Sequence, residues 1–108
     1  MVRLQVIGGG KMGEALVAGV LASGWADPAD VRVVELVAAR RDELVGRFPG
    51  LGVATEPAEA EGTVIAVKPA DAPAAVAAAA AVGCRRMVSI AAGVTLAQLE
   101  APAPAGMG

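Results

Sequence analysis

The chain has 108 residues, a formal net charge of −2 and 56% hydrophobic residues, of which very few are aromatic. This length fits one domain, and the absence of a basic excess argues against nucleic acid or an anionic membrane as partners. No apolar run reaches the length of a membrane span and no signal peptide fits before the first strand, so we expect a cytoplasmic protein that contacts no membrane. The single cysteine, Cys84, is expected to be a buried and inert thiol.

The first predicted strand, residues 3–7, leads into a stretch rich in glycine. Glycines at positions 8, 10 and 13 form the pattern G-x-G-x-x-G between this strand and a helical pattern. In that context Gly8 permits the tight turn, Gly10 lets the backbone approach a pyrophosphate, and Gly13 lets the helix pack closely on the sheet. The N-terminus of the helix then presents free N–H groups to the phosphates. The stretch predicts a dinucleotide site, and the alternative is a structural glycine turn.

The helix after these glycines is predicted to end near Ser23, where Gly24 provides a stop signal. Helical spacing places five of its residues on one face. These residues are Met12, Leu16, Gly19, Val20 and Ser23. A polar connection that contains proline then leads to a second strand at residues 31–35.

A second helix is predicted over residues 37–48, and Pro49-Gly50 ends it. Its predicted inward residues are Val37, Leu44, Val45 and Phe48. Its predicted outward residues are Arg40, Arg41, Asp42 and Glu43. A weak third strand follows at residues 53–55, and residues 57–61 are predicted to form a helical turn within a short crossover.

The fourth predicted strand, residues 63–67, has the clearest pattern in the chain because it is continuous and rich in β-branched residues. Asp71 is predicted to cap a third helix that has Pro73 in its first turn and ends at Gly83. A fifth strand follows at residues 87–90. Beyond it, a capping box is predicted to open a small last helix, and its two members are Thr95 and Gln98.

This order of elements predicts an α/β fold with a doubly wound, mostly parallel Rossmann-type sheet and the strand order 3-2-1-4-5. The dinucleotide-binding domain would comprise residues 1–100, and residues 101–108 form a tail of proline, alanine and glycine. In this strand order the connections of the first and fourth strands leave in opposite directions. Ligands bind at such a point, so we expect a crevice between the glycine loop and the end of the fourth strand.

Two sets of side chains could read the adenine-side ribose of a dinucleotide. Glu35 ends the second strand about twenty residues after the glycine loop, where a carboxylate can accept hydrogen bonds from the ribose and thereby favour NADH. Arg40 and Arg41 follow and could instead pair with the 2′-phosphate of NADPH. The alternative to both is a solvated strand end and a solvated helix face.

Two further corners could border the nicotinamide. Lys68-Pro69 turns the chain away after the fourth strand and leaves backbone groups facing the crevice. Ala91-Ala92-Gly93 follows the fifth strand with small residues that leave room for a flat ring. The chain has no histidine and no tyrosine, and no nucleophile stands beside a base, so the cofactor is expected to carry the chemistry.

Three stretches in this order, residues 7–16, 66–69 and 89–95, resemble pyrroline-5-carboxylate reductases, and the resemblance extends to about Glu100. It implies NADPH- or NADH-dependent reduction of the cyclic imine 1-pyrroline-5-carboxylate to L-proline. By the same resemblance, the residues holding the pyrophosphate are Gly8, Gly10, Lys11, Met12 and Gly13. Those on the nicotinamide side are Val67, Lys68, Pro69, Ala91, Ala92 and Gly93.

Family members continue beyond the position of Gly108 into a helical domain that forms the dimer and most of the imino-acid pocket. We therefore expect this chain to be the cofactor domain, inactive by itself, with homo-oligomers and the imino-acid substrate depending on the missing domain. One alternative is the cofactor domain of another small-substrate reductase, of the β-hydroxyacid or coenzyme F420-linked type. A non-catalytic nucleotide-binding module is an alternative of a different class.

Overall fold

The computed structural model describes residues 2–89. They form five strands and three α-helices, and two short 3-10 turns precede β2 and α3. The elements are β1 (Val2–Ile7), α1 (Lys11–Ala22), β2 (Val31–Val34), α2 (Ala38–Arg47), β3 (Gly52–Ala54), β4 (Ala60–Ile65), α3 (Ala72–Ala81) and β5 (Met87–Ser89). The end of the predicted fifth strand at Ile90 and the capping box of Thr95 and Gln98 lie outside the described residues.

The five strands form one parallel sheet in the order β3-β2-β1-β4-β5, which confirms the predicted fold class and strand order. Ile7 at the end of β1 is in register with Val34 of β2 on one side and with Ile65 of β4 on the other. The carboxyl ends of the three central strands therefore lie at one level. Their connections diverge from there, which leaves the crevice that this topology creates.

The helices cover both faces of the sheet. On one face Val17 of α1 and Leu44 of α2 are fully buried against Val6. On the other face Val76 of α3 packs in a core cluster with Ile7. Strand β1 is consequently buried on both faces from Leu4 to Ile7, and the buried polar residue among these four is Gln5.

The residues that share one face of α1 by helical spacing are not the ones that the structure buries. The buried residues of this helix are Gly13 and Val17, whereas Met12 is 51% exposed. Gly19 and Ser23 are also exposed, and Leu16 and Val20 are only partly buried at the border of the core. Gly13, the third glycine of the loop, packs directly against the backbone of Gly8, so the side of α1 that carries Gly13 and Val17 faces the loop and the sheet.

Three other local predictions also differ from the structure. On α2 only Leu44 is fully buried, while Val37 is 58% exposed and Val45 is 39% exposed. Residues 57–61 contain no helical turn, because β4 already begins at Ala60 and pairs there with Val2. Asp71 stands at the N-cap position of α3, but its side chain makes no capping hydrogen bond.

The connection between β3 and β4 contains no helix and is instead hydrogen-bonded to a side-chain amide of the sheet. Gln5 of β1 is fully buried, and its Nε2 donates to the carbonyl oxygen of Ala58 at 3.0 Å while its Oε1 accepts from the Ala58 N–H at 3.0 Å. The Gln5 Oε1 also accepts from Arg32 Nε at 2.8 Å. Cys84 is fully buried beside this group, as predicted, and its thiol donates to the Ala58 carbonyl. The extended connection is thus held on the sheet by paired hydrogen bonds.

Candidate functional site

The glycine loop between β1 and α1 takes a shape that side chains would prevent. Gly8 has a φ of +111°, and a Cβ there would lie 2.6 Å from the carbonyl oxygen of Ala66. A Cβ on Gly13 would collide with the carbonyl oxygen of Gly8. The Gly8 N–H donates to the Val34 carbonyl at 2.9 Å, which ties the turn to β2. These two glycines are therefore required by the close packing of loop, helix and neighbouring strand.

Gly10 differs from them because space, rather than protein, lies where its side chain would be. It is exposed, and no heavy atom lies within 4 Å of the position that a Cβ would take. Gly10 is the N-cap of α1, so the N–H groups of Lys11, Met12 and Gly13 lie in the first turn. These N–H groups have no carbonyl oxygen within the helix to which they can donate a hydrogen bond. An open cradle at the positive end of a 12-residue helix fits a pyrophosphate.

Glu35, immediately after β2, contacts the glycine loop directly. Its Oε1 accepts a hydrogen bond from the Gly9 N–H at 3.0 Å, and its Oε2 accepts one from the Val37 N–H at 2.8 Å. Both carboxylate oxygens are thus held by backbone amides beside the loop. This fixes the orientation of a negative charge at the position where a Rossmann fold reads the ribose.

Arg40 lies at the start of α2 and does not line the cleft. The sequence predicted that it points outward, but its side chain is mostly buried. Its Nε donates to the Gly9 carbonyl, and its terminal nitrogens pair with Glu14 at 2.8 Å and Glu43 at 3.1 Å. Glu14 is also paired with Arg47. The Arg40 side chain is only 22% exposed. This network joins α2 to the glycine loop and to the first turn of α1.

Arg41 is also partly buried, contrary to the predicted outward position. Its guanidinium donates to the carbonyl oxygens of Glu35 at 2.8 Å and Leu36 at 3.0 Å. It therefore stabilises the turn between β2 and α2. Its role toward a 2′-phosphate, like that of Arg40, stays a prediction.

A cleft of about 730 Å³ opens at the carboxyl ends of β1, β2 and β4. It brings together five residues that the sequence assigned to a cofactor, namely Gly8, Gly10, Glu35, Val67 and Lys68. The predicted site residues that do not line it are Lys11, Met12, Gly13, Arg40 and Pro69. Ala91, Ala92 and Gly93 lie outside the described residues.

The cleft also has lining residues that the sequence analysis did not single out. Leu36 is 79% exposed, and together with Val37 it forms an apolar edge next to Glu35. Across the cleft, Ala74 and Ala75 of α3 contribute small apolar side chains. Leu36 and Val37 could have been identified as lining residues from the sequence, because they are two apolar residues directly after the carboxylate that follows β2. Nothing in the sequence distinguishes Ala74 and Ala75 from the other alanines of α3.

Comparison with known proteins identifies the family. A family model described as NADP oxidoreductase coenzyme F420-dependent matches residues 3–93. The chain belongs to this family. The F420-dependent NADP oxidoreductase match spans the strands, the helices and every predicted cofactor residue, including those after β5.

Two individual proteins are also similar to this chain. The chain is 31% identical over 115 residues to a pyrroline-5-carboxylate reductase of Corynebacterium melassecola, with 99% of this chain and 42% of that protein covered. A solved pyrroline-5-carboxylate reductase of Coxiella burnetii superposes with a TM-score of 0.81 at 24% identity, covering 92% of this chain and 38% of that one. The chain therefore spans about two fifths of the length of these relatives. The curated relative confirms the resemblance seen in the sequence motifs, and the solved structure confirms the fold.

Two other kinds of site are absent from residues 2–89. No group of three or more histidine, cysteine, aspartate or glutamate side chains is arranged there to hold a metal ion. None of the helices in this part of the chain is long and apolar enough to cross a membrane.

Proposed function

We propose that this chain binds NADH or NADPH in the cleft, with the pyrophosphate at the glycine loop. The observation that carries the proposal is the open position beside Gly10, at the N-terminus of α1 and on the border of the cleft. The backbone amides of Lys11, Met12 and Gly13 would face the phosphates there. The family match supports a nicotinamide dinucleotide as the ligand, since its description names NADP.

The remaining parts of the dinucleotide can be assigned from the walls of the cleft. We place the adenine-side ribose at Glu35, with Leu36 and Val37 as the apolar edge next to the adenine. The nicotinamide would lie toward Val67 and Lys68, with Pro69 at the corner behind them. Ala91, Ala92 and Gly93 complete this side in the proposal, because they follow β5 in the sequence.

We further propose that NADH binds more tightly than NADPH. The Glu35 carboxylate is oriented by two backbone amides, and a charge fixed at this position repels a 2′-phosphate. Arg40 is engaged by the Gly9 carbonyl and two carboxylates, and Arg41 donates to two carbonyl oxygens. Both guanidinium groups would have to leave these partners to neutralise the phosphate.

The proposed reaction is reduction of 1-pyrroline-5-carboxylate to L-proline, supported by the name of the curated relative. We propose that it takes place in the cytoplasm. The reduced nicotinamide, when bound, supplies the hydride. The cleft residues would hold and orient the cofactor so that one ring face is presented to the imine. Protonation makes an imine a good hydride acceptor, which agrees with a chain that has neither histidine nor tyrosine. We assign homo-oligomer formation and the imino-acid pocket to the part of the relatives' length that this chain does not cover.

Calorimetric titration of the 108-residue chain with NADH and with NADPH tests the binding proposal. We expect both to bind, NADH with the lower Kd. A folded chain that binds neither dinucleotide would contradict the proposal. Tighter binding of NADPH would transfer the ribose-side role from Glu35 to Arg40 or Arg41.

The substrate proposal needs a separate assay, using the protein purified at its natural length. Oxidation of NADH coupled to the appearance of L-proline is the expected result. The family description supports a second candidate, a reductase that uses coenzyme F420. Absorbance of reduced and oxidised F420 in the same assay distinguishes the two, because turnover of F420 without proline formation would contradict the first.

A further inference from the structure

Both backbone polar groups of Gly9 are bonded to side chains that come from the end of β2 and the start of α2. The N–H donates to Glu35 Oε1 at 3.0 Å, and the carbonyl oxygen accepts from Arg40 Nε. Gly9 is buried, and a Cβ on it would lie 2.9 Å from Glu35 Oε1. A carboxylate and a guanidinium thus fix the two peptide units on either side of one glycine.

The Arg40 contact determines where the next amide points. All peptide bonds of residues 2–89 are trans, so the Gly9 carbonyl and the Gly10 N–H leave the same peptide plane in opposite directions. Because the carbonyl is directed at Arg40, the Gly10 N–H is directed away from Arg40. Gly10 is exposed and borders the cleft, whereas Arg40 does not line it. This N–H is the amide that precedes the first turn of α1.

Without the contacts of Arg40, the orientation of the peptide between Gly9 and Gly10 would be less restricted. Three successive glycines allow a peptide plane to rotate at low cost. Arg40 itself is held by Glu14 at 2.8 Å, and Glu14 is paired with Arg47, so the guanidinium cannot easily turn away. The Arg40 and Glu14 side chains are 22% and 21% exposed, which shields the pair from much of the solvent.

We infer that Arg40 is a positioning residue for the pyrophosphate. It acts through the Gly9 carbonyl to keep the Gly10 N–H aimed at the phosphates, and Glu14 keeps Arg40 in place. This inference rests on the proposed dinucleotide site, but it assigns Arg40 a role that needs no contact with the 2′-phosphate. An amide that is already oriented loses less entropy when the ligand binds.

Three substitutions separate positioning from simple attraction of the anion. Arg40→Gln places an amide nitrogen as many bonds from the backbone as Nε and removes the charge. Arg40→Lys keeps the charge but has a methylene at that position, and Arg40→Met has neither donor nor charge. If Arg40 acts by positioning the loop, Arg40→Lys and Arg40→Met raise the Kd for NADH about 10-fold and Arg40→Gln raises it less. If Arg40 acts by attracting the anion, Arg40→Lys changes the Kd least, and Arg40→Gln and Arg40→Met raise it more.

The matched control is Arg85→Met, which removes one positive charge from an exposed side chain that precedes β5. We expect its Kd for NADH to stay within about twofold of the unsubstituted chain. Binding of adenosine, which has no pyrophosphate, should be the same in every variant. An Arg40→Lys variant that binds NADH like the Arg85→Met variant would overturn the inference.

A second readout needs no ligand. In NMR spectra of the ligand-free chain, the Gly9 carbonyl carbon and the Gly10 amide should shift or broaden in Arg40→Met and Arg40→Lys and stay unchanged in Arg85→Met. Unchanged Gly9 and Gly10 signals in Arg40→Met would overturn the inference even if the affinity fell. Failure of the unsubstituted chain to bind any dinucleotide would instead overturn the proposed function, because the NMR comparison does not depend on it.

Discussion

The Glu35 carboxylate accepts a hydrogen bond from the backbone N–H of Gly9 at 3.0 Å, across 26 positions of the chain. This contact joins the end of β2 to the glycine loop after β1. The residue expected to read a ribose therefore also shapes the loop expected to hold the pyrophosphate. A change at Glu35 is consequently expected to affect two parts of the cofactor site at once.

The first prediction concerns the choice between NADH and NADPH. Glu35→Gln retains an oxygen that can accept from Gly9, but its amide nitrogen cannot accept from the Val37 N–H. Loss of the negative charge should weaken NADH binding severalfold and lower the ratio of the NADPH Kd to the NADH Kd about 10-fold. Calorimetry measures both constants. Glu61→Gln, at an exposed position of β4, is the control, and an unchanged ratio in Glu35→Gln would refute the ribose assignment.

The second prediction separates binding from folding at the glycine loop. Gly10 has a φ of −73°, and a Cβ there meets no protein atom within 4 Å, so Gly10→Ala should change the free energy of unfolding by less than about 1 kcal/mol. The added methyl group would occupy the space assigned to the pyrophosphate and raise the Kd for NADH at least about 10-fold. Urea denaturation and calorimetry give the two quantities. Retained affinity in a stable Gly10→Ala variant would argue against a pyrophosphate at this position.

The third prediction is a gain of stability on the same helix. Gly19 lies in the middle of α1 and is exposed, and no heavy atom lies within 4 Å of the place that an added methyl group would take. Gly19→Ala should raise the free energy of unfolding by about 0.5–1 kcal/mol, because alanine loses less backbone entropy in a helix. NADH affinity should not change. Lower stability in urea denaturation would mean that α1 packs more closely around Gly19 than the structure shows.

The fourth prediction concerns the buried amide of Gln5. Gln5→Leu would leave the Ala58 N–H and the Arg32 guanidinium without this acceptor, at a cost of about 1–3 kcal/mol. Thr63→Val is the milder comparison, since it removes a hydrogen bond of 3.4 Å to the same amide. Labelling of the Cys84 thiol provides the readout and should be faster in Gln5→Leu. Equal labelling rates in the two variants would show that the Ala58 contacts contribute little.

The sequence allowed prediction of the parts of the fold and cleft that local signals specify. The spacing of Gly8 and Gly13 marks a strand–turn–helix unit, and the β-branched run after Gly62 marks the central partner of β1. Parallel strands bring their carboxyl ends together, so Glu35 and Lys68 could be placed at one cleft from the order of the strands alone.

The remaining features depend on contacts between distant parts of the chain. The buried side of α1 includes Gly13, which packs on the Gly8 carbonyl, and apolar spacing does not encode this contact. The start of β4 at Ala60 follows from pairing with Val2, although alanine has little strand preference. Arg40 looks like a solvated residue in the sequence, because its partner is a backbone carbonyl 31 positions away.

The pairing of β1 with β4 has a consequence for the order in which the molecule assembles. Gln5 and Thr63 face each other across 58 positions, whereas β1, β2 and β3 are joined through shorter connections. Closing the longer loop costs more chain entropy, so we expect β3, β2 and β1 to associate first and β4 to join later. The glycine loop lies among the strands that associate first, whereas Lys68 follows β4, which joins later. A dinucleotide would then stabilise only the finished sheet, and its addition should slow unfolding more than it speeds refolding.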